Sequence, residues 1–343
     1  MTFIGINGFG RIGKCLFLQL INNKDIIVNA INAPDFDISK IEHYLKYDSV
    51  HKYNADFTIE VLDNNNFKLN GRNIHVFKTR NATEIDWKKY NINHIIDSSG
   101  IYLNKEKASQ HNVPYVIMSA PPKDNTPLFV YGANHQKYNN EKIVSNASCT
   151  TNSIVPVLKH LSDTFGIKHA NFTTIHASTS SQKVVDTLNS NSRTNRSVLN
   201  NIIPHSTGAS LSIYKILPEL QGKIKGTSVR VPVSNVSLID LNISLEKETT
   251  IEEIFKTFQD NIYIQVANEN HVSSDFISTK CPSIVDKRAS MELSKNEFKL
   301  LIWYDNEWSY TSQLISLINT IIKHEVNPYY IEKQDYSNKE VVL

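Results

Sequence analysis

Thr2-Phe3-Ile4-Gly5-Ile6-Asn7-Gly8-Phe9-Gly10-Arg11-Ile12-Gly13 opens the chain and decides its fold. An apolar strand, Thr2 to Ile6, runs into G-x-G-x-x-G. A helical pattern through Lys14, Cys15, Leu16, Phe17, Leu18 and Leu20 follows, then a second apolar strand, Ile26 to Ile31. That order is the context a dinucleotide fingerprint requires. Gly8 makes the tight turn, and Gly10 lets the backbone approach a pyrophosphate. Gly13 lets the helix pack closely on the strand, and the pyrophosphate rests on the helix N-terminus. The chain has 11 glycines in 343 residues, under half the usual ~7%. Four of the 11 lie in the first 13 residues, which argues against a chance match.

About 20 residues beyond such a fingerprint an acid binds the adenosine ribose. Here Asn32-Ala33-Pro34-Asp35-Phe36-Asp37 follows the second strand, so Ala33 stands where the acid is expected. Asp35 and Asp37 are the remaining ribose candidates. NAD is the expected cofactor. NADP stays open, because Ala33 removes a charge that would repel a 2′-phosphate, although no Lys or Arg follows immediately to attract one.

The second informative stretch is Ser145-Asn146-Ala147-Ser148-Cys149-Thr150-Thr151-Asn152, with apolar helical spacing through Ile154, Val155, Val157, Leu158 and Leu161. Cys149 therefore falls in the first turn of a helix, where unpaired N–H groups and the helix dipole favour a thiolate. A structural Cys would more naturally sit among apolar neighbours, whereas this one is flanked by hydroxyls. His176 ends an apolar strand pattern and is a candidate base for that thiol.

Composition narrows the classes. The formal net charge is +2, so no basic surface points to nucleic acid. The three cysteines, at 15, 149 and 281, have neither metal-ligand spacing nor an even framework. No metal is expected, and a reducing compartment, the cytoplasm, fits. Cys15 and Cys281 read as packing residues. No apolar run approaches the ~20 residues that cross a bilayer, and the N-terminus enters a strand directly, which leaves no room for a signal peptide.

Together these segments resemble the phosphorylating glyceraldehyde-3-phosphate dehydrogenases, from Phe3 to about Ile322. Tyr47-Asp48-Ser49, Thr173-Thr174-Ile175-His176-Ala177, Gln182-Lys183, Asn201-Ile202-Ile203-Pro204, Ser206-Thr207-Gly208-Ala209, Arg230-Val231-Pro232, Asn235-Val236-Ser237 and Trp303-Tyr304-Asp305-Asn306-Glu307-Trp308 match in the family's order. The resemblance implies an α/β chain: a Rossmann-type doubly wound dinucleotide-binding domain at 1–148, and an α+β catalytic domain at 149–312 with a large, mostly antiparallel sheet. Residues 313–343 would form a C-terminal helix returning to the first domain, plus a tail.

By the same resemblance Cys149 is the nucleophile and His176 its base, acting on D-glyceraldehyde 3-phosphate through a thiohemiacetal and a thioester that inorganic phosphate cleaves to 1,3-bisphosphoglycerate. The family's anion sites carry over to Ser148, Thr150, Thr179, Ser181, Thr207, Gly208 and Arg230. Its cofactor positions carry over to Asn7, Gly8, Phe9, Gly10, Arg11, Ile12, Gly13, Asn32, Ala33, Arg80, Ser98, Gly100, Ser119, Asn306 and Tyr310. A homotetramer is implied, with the polar loop from Ser178 to Asn200 at a subunit interface and Arg193 and Arg196 available for intersubunit contacts.

Departures from the family pattern are Ala33, Thr187-Leu188 in place of a common Gly-Pro, Ser153 in place of a second Cys, Ser181 for Thr, Leu211 for a common Lys, and Ser309 for Gly. No catalytic position departs. Rival readings are an erythrose-4-phosphate dehydrogenase, which would share Cys149 and His176, and a non-catalytic nucleotide- or RNA-binding role. The tail past Val326 has three tyrosines, Tyr329, Tyr330 and Tyr336, that could pack on the body, and a disordered tail is the alternative reading.

Overall fold

The computed structural model describes residues 1–52, 56–188 and 192–326, and the tail tyrosines lie outside them. The chain divides into two units, one holding Met1–Tyr131, His135–Ala147 and residues 311–326, the other holding Gly132–Asn134 and Ser148–Tyr310.

The first unit runs β1 (Thr2–Asn7), α1 (Arg11–Leu20), β2 (Ile26–Asn32), α2 (Ile41–Lys46), β3 (Ile59–Val61), β4 (Asn66–Leu69), β5 (Arg72–Phe77), β6 (His94–Asp97), α3 (Lys105–Ala108), β7 (Tyr115–Met118) and β8 (Ile143–Ser145). The sheet order is β3-β4-β5-β2-β1-β6-β7-β8. From β5 to β8 all neighbours are parallel, whereas β3–β4 and β4–β5 are antiparallel. Of the short strands within residues 56–77, β5 joins the parallel sheet beside β2. Asn70 (φ 50°) and Gly71 (φ 78°) make the turn between β4 and β5, as a tight hairpin of that hand requires. From β1 the chain builds outward through β2 on one side and β6 on the other. The switch point therefore lies at the C-terminal ends of β1 and β6, where open α/β sheets bind ligands.

Parallel strands need both faces covered. Accordingly Ile4, Ile6, Ile95, Ile96 and Ile117 are fully buried. The last helix, α7 (Trp308–Val326), supplies part of that cover. Gln19 on α1 donates from Nε2 to Thr311 Oγ1 at 2.6 Å and accepts from Ser312 Oγ at 2.7 Å.

The second unit runs α4 (Cys149–Phe165), β9 (Ile167–His176), β10 (Ile203–His205), α5 (Ala209–Ile216), β11 (Ile224–Arg230), β12 (Ser237–Leu245), α6 (Ile251–Phe258), β13 (Ile264–Ala267), β14 (Ser283–Ser294) and β15 (Glu297–Tyr304). Its sheet order is β10-β11-β9-β12-β15-β14-β13. Only β11–β9 and β13–β14 are parallel. The α4 helix lies against β12, β14 and β15, burying Ile154, Val155, Val157, Leu158 and Leu161.

Two details differ from the sequence reading. β10 and β13 are too short to show an alternating pattern, and tertiary pairing forms them. β14 continues past the expected Asp286, after an irregularity where Asp286 Oδ1 accepts from the N–H groups of Arg288 and Ala289. Leu211 on α5 is 69% exposed, so the position where a Lys is common is a surface position here. Between β9 and β10 the long loop folds on itself. Thr187 N donates to Asn195 O, Lys183 bridges Ser197, and Arg196 pairs with Asp186 at 2.8 Å.

Candidate active site

The nucleotide side is built mostly from backbone. Gly8 has φ 96°, and a Cβ on Gly13 would sit 2.1 Å from Gly8 O. Both positions therefore need glycine on steric grounds. Gly10 differs. Its φ is −80°, and a Cβ there would meet nothing within 4 Å among the described residues. No side chain caps α1. Room above Gly10 and an uncapped helix start are what a pyrophosphate requires, so these residues fit the dinucleotide.

Beneath them lies a buried polar network. Asn7 Nδ2 donates to Asp97 Oδ2 at 2.6 Å, and Asn32 Nδ2 donates to Asn7 Oδ1 at 2.7 Å. His111 Nε2 lies 3.0 Å from Asp97 Oδ2. Ser98 Oγ donates to Gly8 O at 2.6 Å, pinning the glycine loop from below. Asn32 also holds the next loop, through Thr79 O and Thr79 N.

Arg11 does not aim its guanidinium at the loop mouth. It makes a bidentate pair with Asp48, at 2.6 and 3.1 Å, and Lys14 joins at 2.8 Å. Burial alone would raise the Asp48 pKa, but hydrogen bonds from Arg11 and Lys14 outweigh it and hold the carboxyl well below the usual range. What Arg11 and Ile12 offer a ligand is backbone N–H. The Phe9 ring packs edge-on against Phe17 and Phe36. Ala33 is buried and donates its N–H to Phe77 O. Arg80 pairs with Asp35 at 2.5 Å, both exposed. Gly100 sits at φ 73° just past β6, and Ser119 N donates to Asp97 O.

In the second unit, Ser148 is the N-cap of α4, its Oγ accepting from Thr151 N at 3.1 Å. Cys149 is the first helical residue. His176 ends β9 and Arg230 ends β11, and the parallel register sets these two side by side. Cys149 Sγ lies 3.4 Å from His176 Nε2. On the far side of the ring, Nδ1 lies 2.7 Å from Ala177 O and 2.5 Å from Arg230 Nη1.

Burial pushes the Cys149 thiol above its ordinary value, against the pull of the Arg230 charge and the Thr150 N–H and hydroxyl. Burial, then the Arg230 charge, holds His176 down to about 3.

The expected anion residues are largely engaged with one another. Thr179 Oγ1 lies 3.0 Å from Ser181 Oγ, and Gln182 bonds to both. Thr150 Oγ1 lies 2.9 Å from Tyr304 Oη, and Thr207 Oγ1 accepts from Ala209 N at 3.2 Å. Gly208 has no neighbour within 4 Å of an added Cβ among the described residues. Asn306 and Tyr310 are both buried, and Asn306 Oδ1 accepts from Ser237 Oγ at 2.9 Å.

Two family models match, the glyceraldehyde 3-phosphate dehydrogenase NAD binding domain over residues 2–105 and the C-terminal domain over residues 148–306. The chain belongs to the glyceraldehyde 3-phosphate dehydrogenase family. It is 40% identical to the glyceraldehyde-3-phosphate dehydrogenase of Buchnera aphidicola over 329 residues, spanning 93% of this chain and 98% of the relative. It is likewise 40% identical to the cytosolic enzyme of Chlamydomonas reinhardtii, spanning 93% of this chain and 96% of the relative. A third relative, glyceraldehyde-3-phosphate dehydrogenase A of Escherichia coli, is 40% identical, spanning 93% of this chain and 99% of the relative.

Family motifs already pointed to side chains that the residue-by-residue reading passed over. Tyr304 stands beneath the Cys149–His176 pair. Its hydroxyl lies 2.9 Å from Thr150 Oγ1 and 2.8 Å from Thr174 Oγ1, and its ring is edge-on to His176 at 6.0 Å. Gln182 orders the Thr179–Ser181 turn. Ser237 accepts from Ala177 N at 3.0 Å, so its own proton goes to Asn306 Oδ1, which leaves the Asn306 Nδ2 as the outward donor. The preceding residue, Val236, has φ 64°, a conformation that a β-branched residue rarely adopts.

Proposed function

We propose that this chain catalyses the phosphate-dependent oxidation of D-glyceraldehyde 3-phosphate to 1,3-bisphosphoglycerate, the glycolytic reaction, with NAD as oxidant. The observation that carries the reading is Cys149 Sγ at 3.4 Å from His176 Nε2, at the first turn of α4, with Arg230 against the same ring. The printed names of the relatives agree with it.

Cys149 is the nucleophile. As its sulfur adds to the aldehyde carbon, the thiol proton passes through His176 Nε2 to the forming alkoxide oxygen, and in the oxidation Nε2 takes the thiohemiacetal hydroxyl proton. The Cys149 backbone N–H, at the helix start, faces the developing oxyanion. Bound NAD supplies the hydride acceptor that turns the thiohemiacetal into a thioester. Inorganic phosphate then attacks the thioester carbon, and the Cys149 sulfur leaves. Arg230 brings a planar fork suited to a phosphate, and Thr179, Ser181, Thr207, Gly208, Ser148 and Thr150 supply hydroxyl or backbone donors.

The glycine loop, Asn7, Asn32, Ser98, Gly100 and Ser119 hold the nucleotide, and Asn306 and Tyr310 serve its nicotinamide end. We assign nucleotide binding to residues 1–148 and catalysis to 149–312. Residues 313–326 belong to the returning helix α7, and the expected tail lies outside the described residues. NAD is favoured over NADP because Arg80, a cation available to a 2′-phosphate, is already paired with Asp35. The working form is a cytoplasmic homotetramer. Among the described residues no helix is long and apolar enough to cross a membrane.

The test follows reduced-cofactor absorbance with glyceraldehyde 3-phosphate and inorganic phosphate, NAD and NADP in parallel. Phosphate-dependent turnover with NAD that Cys149→Ser abolishes is the expected result. No turnover with either cofactor overturns the reading, and preference for NADP overturns the cofactor assignment alone.

A further inference from the structure

The sheet register brings a second row of polar side chains to the catalytic face. β10 runs antiparallel to β11, with Ile203 opposite Arg230 and His205 opposite Ser228. β11 runs parallel to β9, with Ser228 beside Thr174 and Arg230 beside His176. Residues two apart on a strand share a face. His205, Ser228 and Thr174 therefore form a row on the same face as Arg230 and His176. That face is the one that bears the nucleophile. Thr174 Oγ1 lies 2.8 Å from Tyr304 Oη, which lies 2.9 Å from Thr150 Oγ1, next to Cys149 on α4.

Two polar atoms of this face are buried with no hydrogen-bond partner among the described residues, Ser228 Oγ and Arg230 Nε. Ser228 is only 4% exposed, so water does not serve its hydroxyl. A buried donor left unpaired is costly, and a phosphate oxygen would satisfy either one. Ser228 and Arg230 stand roughly 6.6 Å apart along the strand, close enough for both to reach one phosphate.

His205 completes the row from β10. Its Nδ1 lies 2.7 Å from Ser206 O. A carbonyl only accepts, so Nδ1 carries a proton and Nε2 is left to face a ligand. The ring is near enough to His176 for its charge to act there. Thr207 and Gly208 follow at once, at the start of α5.

We propose that His205 and Ser228 bind the attacking inorganic phosphate, Ser228 donating its hydroxyl proton to one oxygen and His205 Nε2 accepting from the P–O–H group. The inference rests on the function proposed above. Monohydrogen phosphate keeps one P–O–H, whereas the dianion of a phosphate ester has none. An acceptor at His205 therefore selects the attacking phosphate over the phosphate of the substrate. With that proton held by His205, an unprotonated oxygen is free to attack the thioester carbon.

The test uses the full chain and separates two steps. Acylation by glyceraldehyde 3-phosphate and NAD needs no inorganic phosphate and gives the NADH burst, whereas release of the acyl group needs it. His205→Ala and Ser228→Ala should each raise KM for inorganic phosphate about tenfold, the size of a lost hydrogen bond to a charged group. The burst and KM for glyceraldehyde 3-phosphate should not follow. His205→Gln keeps an acceptor oxygen and should recover most of the loss. An unchanged phosphate KM removes that residue from the site. A burst that slows in step with the rise in KM, or a KM for glyceraldehyde 3-phosphate that rises equally, overturns the assignment to the attacking phosphate.

Thermal melting without cofactor or substrate supplies a readout that does not depend on turnover. Inorganic phosphate should raise the melting temperature of the wild type, and raise it less in both alanine variants. Without phosphate, Ser228→Ala should melt at or above the wild type, because it removes a buried hydroxyl that has no partner. A lower value would show that the hydroxyl already serves the fold, and would overturn its role. If glyceraldehyde 3-phosphate gives no burst in the wild type, the proposed function fails, and the melting series still decides whether His205 and Ser228 hold phosphate.

Discussion

The glycine loop and the catalytic pocket are prepared in opposite ways. At the loop, an added Cβ on Gly10 would meet nothing within 4 Å among the described residues, and Ser98 with the Asn7–Asp97–His111 network secures the loop from beneath. Nothing has to move for a pyrophosphate to dock. In the pocket, by contrast, polar side chains satisfy one another: Arg230 with His176, Thr179 with Ser181 and Gln182, Ser148 with Thr151. Each pairing must break before a substrate oxygen can take its place. A site made of main chain is complete before its ligand arrives, whereas a site made of mutually bonded side chains is completed by the ligand. Such sites couple binding to activation, because a bond has to be exchanged.

The largest effect should come from the pocket. His176→Asn removes the base and should slow acylation by roughly 100- to 10,000-fold, measured by stopped flow, while NAD binding stays as in the wild type. A matching loss of NAD affinity would break the separation between the two regions.

The glycines sharpen it next. Gly13→Ala forces a Cβ to 2.1 Å from Gly8 O and should destabilise the fold by about 1–3 kcal/mol, seen in thermal melting. Gly10→Ala has room, so its melting should stay within about 0.5 kcal/mol of the wild type. Its KM for NAD should rise, because only the ligand occupies that space. Equal melting losses for the two variants would show that Gly10 is structural.

The smallest effect concerns the thiols. Burial raises the Cys149 thiol above its ordinary value, so its thiolate fraction grows as pH climbs. Alkylation by iodoacetamide should keep rising past the ordinary cysteine value of about 8.5. Cys281 is pushed up to about 12 by burial, with only backbone groups to bond to, and should stay unlabelled throughout. A plateau for Cys149 near pH 6 would mean that a thiolate–imidazolium pair already exists at rest.

The fingerprint between β1 and α1 and the placement of Cys149 at the start of α4 were legible because both are local: glycine sterics and helix spacing act over a few residues. His176 and Arg230 could be placed on strands, but their adjacency depends on the β9–β11 register, which no local pattern states. The same limit hid the Asp48 pair that claims Arg11, the Tyr304 hydroxyl under Thr150 and Thr174, and the direction of the Cys149 shift. Those depend on residues tens to more than a hundred positions away. β10 and β13 are too short to carry a period.

The register that sets His176 opposite Arg230 also limits how this gene can change length. Side chains alternate across a sheet, so one residue gained or lost inside β9 or β11 would send every later side chain of that strand to the other face. Insertions and deletions are better borne in loops. Within residues 167–176 and 224–230 the chain can exchange letters but cannot add or drop one and keep its chemistry.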